Sequence, residues 1–125
     1  MSSVLIPIPM RRAMLANGRW NEAKKPNTDD FMPVVKLFTP MRQCTWLLTE
    51  LDPEDPDVAF GLCDLGMQSP ELGSVSIREL ASLRIGGIPG VERDRYITLD
   101  QPLSVYTAWA RHAGRIVTSK PEGFA

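Results

Sequence analysis

The segment Asp52-Pro-Glu-Asp-Pro-Asp57 limits the fold more than any other feature of this chain. It separates two runs rich in β-branched, aromatic and aliphatic residues, Thr45–Leu51 and Val58–Leu65. Proline has no amide hydrogen to give a strand ladder, so both prolines belong in a connection. Two strands joined by so short a connection pair antiparallel. The hairpin makes a helical bundle untenable, and the rest of the chain must supply its neighbours and its cover.

Those neighbours are legible on either side. Pro33–Thr39 reads as a strand ending at Pro40, and Leu72–Val75 as a short fourth one. Val91–Thr98 reads as a fifth, carrying Glu92-Arg-Asp-Arg95 with acids on one face and arginines on the other. Ion pairing with a neighbouring strand accounts for that alternation. Three helices complete the set. The first covers about Pro9–Asn17, with Met10, Met14 and Ala13 together and Gly18 as its left-handed stop. Ser76-Ile-Arg-Glu79 is a capping box that opens a second, stopped by Gly86–Gly90. In the last, Leu103, Tyr106, Trp109, Ala110 and Ala113 form an apolar stripe between Pro102 and Gly114. The expected fold class is α+β: an antiparallel sheet of about five strands with two or three helices packed on one face.

The 125 residues make one domain, with an N-terminal helix and polar loop over 1–32, a sheet-and-helix core over 33–114 and a loose tail over 115–125. Residues 19–30 are read as loop. A mean hydropathy of −0.13 and 23% charged residues exclude a disordered tail protein or a coiled-coil fibre. No run approaches the roughly 20 apolar residues of a membrane span. The apolar start, Met1–Met10, precedes Arg11 and Arg12 and is broken by prolines, the reverse of a secretory leader. With only Cys44 and Cys63, both beside apolar strand residues, a reducing cytoplasm is the expected compartment and no membrane partner is expected.

Net charge is −1 but unevenly spread. Residues 1–50 hold seven basic and four acidic groups, residues 51–75 six acidic and no basic, residues 76–125 seven basic and five acidic. Glu50, Asp52, Glu54, Asp55 and Asp57 therefore form the candidate surface for an unidentified protein partner. Arg11, Arg12, Arg19 and Trp20 are the candidate contacts of the alternative, a nucleic-acid-binding protein. A second alternative is a divalent-cation-dependent enzyme using the acidic hairpin. Its loop fails the EF-hand test: a loop begun at Asp52 has Pro56 at position five, Asp57 where glycine belongs and Cys63 in place of the bidentate glutamate. One histidine and two distant cysteines make no zinc site. Cys63 with His112 is the one Cys–His pairing to name, and an apolar strand position makes the thiol inert. Gly86–Gly90 lacks the Lys-Ser/Thr of a phosphate loop. No catalytic residue, metal or cofactor is expected; the reading is a small non-enzymatic accessory or protein-interaction domain.

Longer phrases carry a family likeness. Val35-Lys-Leu-Phe-Thr-Pro40, Thr45-Trp-Leu-Leu-Thr-Glu-Leu-Asp52, Ala59-Phe-Gly-Leu-Cys-Asp-Leu-Gly66 and Pro70-Glu-Leu-Gly73 are joined by Leu15-Ala-Asn-Gly-Arg19, Ser76-Ile-Arg-Glu-Leu80, Val91-Glu-Arg-Asp94 and Pro102-Leu-Ser104. Together they resemble the bacterial domain-of-unknown-function 2958 family over nearly the whole chain. The resemblance implies a small soluble product carried on plasmids and other mobile elements. Relatives often have a histidine soon after the Glu-Arg-Asp phrase, where this chain has Arg95-Tyr96.

Overall fold

The prolines hold the hairpin where the sequence requires it. In a computed structural model describing residues 4–125, Thr45–Leu51 (β2) and Val58–Asp64 (β3) pair antiparallel across the acidic loop. The loop is closed by its own polar groups. Asp52 and Val58 join through a backbone bond of 2.9 Å, and the Asp52 carboxylate accepts the Glu54 amide at 2.9 Å. Val35–Phe38 (β1) pairs with β2, Glu71–Ser76 (β4) with β3, and Glu92–Arg93 with β1. A two-stranded ribbon, Arg84–Ile85 (β5) and Ile88–Pro89 (β6), precedes that last strand, which is β7. The main sheet is antiparallel throughout, in the order β4-β3-β2-β1-β7. With helices Ile8–Lys24 (α1), Ile77–Ser82 (α2) and Leu103–Ala113 (α3), this is the expected α+β fold.

The helices cover both faces of the sheet, where one had been expected. Trp46, Leu48, Val35, Leu37 and Ala59 pack with Met14 of α1 and Ile77 of α2. Leu47 and Leu62 pack instead with Leu103, Tyr106 and Ala110 of α3. The reason lies in β2: Trp46, Leu47 and Leu48 are consecutive and all buried, so the central strand is apolar on both sides. Tyr106, fully buried, stacks edge-on against Trp109 at 5.6 Å, and its hydroxyl accepts the Asp100 amide at 3.1 Å.

Four other expectations change. The first helix does not stop at Gly18; it runs to Lys24, so the first half of 19–30 is helix rather than loop. Gly18 is there for contact: a Cβ would lie 1.8 Å from the Leu51 carbonyl oxygen. The helix ends before Pro26, whose ring disfavours helical backbone at Lys25. The fifth strand, expected over Val91–Thr98, has only two paired residues. Its end is set by Asp94, whose carboxylate accepts the Tyr96 and Ile97 amides at 3.0 and 3.2 Å and turns the chain. Gly86 and Gly87, read as a helix stop, form the positive-φ turn of the β5–β6 ribbon. The tail is fastened rather than loose. Ile116 is buried and donates its amide to the buried Asp64 carboxylate at 3.0 Å, and Phe124 stacks on His112. The first three residues of the apolar start lie outside the described residues.

Two glycine substitutions test this packing. Gly18→Ala forces α1 off β2 and is expected to cost at least about 2 kcal/mol in urea unfolding. Gly73→Ala on β4, where a Cβ meets nothing within 4 Å, is expected to stay within about 0.5 kcal/mol of wild type. Equal effects would contradict the placement of α1.

Candidate functional site

β2 is longer than its partner β1, and the surplus creates the site. The ladder with β1 covers Thr45–Leu48 only. Opposite β3 the register shifts between Leu48 and Glu50, leaving Thr49 as an extra, bulged residue. The Asn17 side-chain amide of α1 donates to the Thr49 carbonyl at 2.9 Å, in the place of a strand neighbour. One turn on, Asn21 is buried and donates to the Glu50 carboxylate at 3.0 Å. The same oxygen, Oε1, accepts the Thr49 hydroxyl at 3.3 Å.

Asn21 also holds the loop that follows α1. Its oxygen accepts the Asp29 amide at 2.8 Å and its nitrogen reaches the Asp29 carbonyl at 3.3 Å. The next residue latches this loop to α3: Asp30 accepts the Ser104 amide at 3.1 Å and the Ser104 hydroxyl, while the Phe31 carbonyl accepts the Leu103 amide at 3.0 Å. These are the free amides of a helix start, and α3 has no cap of its own.

Between loop, sheet and α3 lies a cleft of about 520 Å³. Glu50, Phe60 and Leu72 line it from the sheet, Asp29 and Asp30 from the loop, Thr107 and Arg111 from α3. Phe60 and Leu72 are large apolar side chains left 36% and 45% exposed there. Burial raises the Glu50 carboxyl above the ordinary glutamate range, against the opposing effect of its bonds to Asn21 and Thr49. Nucleophilic chemistry has little to draw on. The Ser104 hydroxyl is given to Asp30 and the Thr107 hydroxyl to the Leu103 carbonyl at 2.8 Å. A half-dry carboxylate beside two exposed apolar side chains is suited to holding a cationic group with an apolar stem.

The sequence-derived candidates divide. Glu50 sits in the cleft, whereas Asp52, Glu54 and Asp55 are exposed on the hairpin loop. Asp57 caps α2: its carboxylate accepts the Ser76 hydroxyl and the Arg78 amide, which hold its pKa below the usual aspartate range. Ser76 accepts the Glu79 amide as a capping box requires. Arg11 donates to the Ile6 carbonyl at 3.0 Å, while Arg12 and Arg19 are exposed two turns apart on α1. The Trp20 indole donates to the Asp29 carboxylate, and Lys24 lies 4.7 Å from its ring. Cys63 packs with the α1-side core, where burial raises its thiol pKa, and His112 lies on α3 against Phe124. Among the described residues no three His, Cys, Asp or Glu side chains converge as a metal site, and no helix is long and apolar enough to cross a membrane. Sequence pattern alone does not point to Asn21, Asp29, Asp30 or Arg111. Their one signal is the Asn17–Asn21 spacing of four, hidden when residue 18 is taken as a stop.

Glu50→Gln tests the electrostatics. Because the folded pKa is raised, the folded state binds the extra proton, so ionising Glu50 costs stability as pH climbs from the ordinary glutamate value through the raised one. Glutamine keeps an acceptor for Asn21 and Thr49 without the charge. Melting curves are expected to show Glu50→Gln at least as stable as wild type at neutral pH and without that decline just above the carboxylate range.

The sequence pattern of one family, described as Protein of unknown function (DUF2958), matches residues 5–117. No curated protein and no solved structure matches the chain. With nearly its full length matched, the chain belongs to the DUF2958 family.

Proposed function

We propose that this DUF2958 chain is a small interaction domain whose recognition element is the Glu50 cleft, receiving a lysine or arginine side chain of a partner protein. The observation that carries the reading is Glu50 itself. It is a carboxylate half-withdrawn from water, with one oxygen held by Asn21 and Thr49, set beside Phe60 and Leu72. A cation entering there meets a charge already desolvated, and its alkyl stem meets apolar surface. Asp52, Glu54 and Asp55 lie just beyond Glu50 in the chain and extend the negative field, steering a basic partner rather than gripping it. Asp57 is committed to α2 and adds only its charge. Two free, partly buried cysteines support a reducing bacterial cytoplasm as its setting. Carriage on a mobile element rests on the family resemblance alone.

A panel of short peptides of equal length, rich in lysine, arginine, glutamine or glutamate, tests the reading by fluorescence polarisation. Basic peptides are expected to bind, with Glu50→Gln and Phe60→Ala each weakening them about tenfold or more. Binding that both variants leave intact, or no preference for basic peptides, would refute it.

A further inference from the structure

A second cleft lies at the other end of the molecule's sheet order, at the edge formed by β7. It encloses about 700 Å³ and is lined by Arg84, Arg93, Arg95 and Tyr96 together with Phe38, Glu92 and Asp94. We propose that this cleft binds a nucleoside phosphate, free or as one unit of a single strand, with the arginines taking the phosphate and Tyr96 the base.

The three guanidiniums are held differently. Arg84 is fixed: one terminal nitrogen donates to the Ala81 and Leu83 carbonyls, each at 3.2 Å, leaving its other donors to the cleft. Arg93 is anchored by the β7 pairing to Leu37, and its Nε is buried with no acceptor among the described residues. Arg95 is exposed, just past the turn at Asp94. Among the described residues none of the three is in an ion pair, while the Asp94 charge is already matched by Lys36 at 3.4 Å. Three guanidiniums against two carboxylates, Glu92 and the Asp94 that Lys36 already pairs, leave the cleft net cationic, with the forked donors that phosphate oxygens accept.

Tyr96 supplies the second element. It is 95% exposed, the most exposed large hydrophobic side chain among the described residues. The Asp94 carboxylate, by accepting the Tyr96 amide, fixes the backbone that carries this ring. A ring bared to water beside clustered arginines is the combination that single-stranded nucleic acids and nucleotides use, stacking on the aromatic face while cations take the phosphate. These residues differ from Arg11, Arg12, Arg19 and Trp20, of which Arg11 and Trp20 already have partners within the chain.

The test is calorimetric titration of the full chain at low salt with adenosine monophosphate and, separately, a ten-residue thymidine oligonucleotide. Arg95→Ala and Tyr96→Ala remove exposed side chains, and their melting temperatures should match wild type. Binding of either probe, weakened about tenfold by each variant and lost as salt rises, is the expected result. Mononucleotide binding marks a nucleotide site, and oligonucleotide binding alone marks a single-strand site. Failure of both probes to bind, or affinity that either variant leaves unchanged, overturns the proposal. Neither result bears on the Glu50 cleft, which shares no lining residue with this one.

Discussion

The structure depends on how the second half of β2 is satisfied once β1 has ended. A central strand that outruns its neighbour leaves backbone groups that must find other partners. Here α1 takes the vacant place. Asn17 donates to the Thr49 carbonyl, and Gly18 lets the helix backbone come against Leu51 with no side chain between. Glycine costs an ordinary helix about 1 kcal/mol relative to alanine, so its presence mid-helix marks a contact that a larger residue would prevent. From that contact follow the height of α1 on the sheet, the burial of Asn21, and the path of the loop that leaves the helix.

The cleft is built from these constraints in turn. The bulge at Thr49 puts both Thr49 and Glu50 on the α3 side of the alternation, between Leu48 and Leu51 on the α1 side. Asn21 is the hinge of the arrangement, bonded to the Glu50 carboxylate and to both backbone groups of Asp29. Asp30 then carries the chain to α3 and caps it. One polar path thus links α1, β2 and α3 across two separate apolar cores. Such a path keeps a carboxylate partly dry without leaving it unbonded, and that is the condition for recognising a cation.

Much of the architecture could be read in advance because its signals are local. The prolines of the hairpin loop, the Ser76 cap and the Leu103–Ala113 stripe each lie within a dozen residues, and each formed where expected, with Ala113 at the end of the stripe left exposed. What was not legible depended on distance. A glycine that stops a helix and a glycine that admits a neighbouring carbonyl look alike until the neighbour is known. In the sequence Glu50 reads as one more hairpin acid, because its partner, Asn21, is 29 residues away in a stretch with the composition of a loop. The Trp46-Leu-Leu48 run held a clue to helices on both faces, since a strand with one wet face would alternate. Glu92–Arg95 showed the alternation of a strand, yet a side-chain bond from Asp94 to its own following amides outcompeted the ladder.

Measuring the ionisation of Glu50 directly tests the claim that joins fold to site. The side-chain carboxyl carbon can be followed by NMR through a pH titration, alone and with a saturating lysine-rich peptide. The account predicts that Glu50 in the free chain titrates above the ordinary glutamate value, because burial outweighs its hydrogen bonds, and that a cation bound in the cleft pulls it down. An ordinary value that the peptide does not move would mean that the carboxylate is open to water and that the cleft is not built around it.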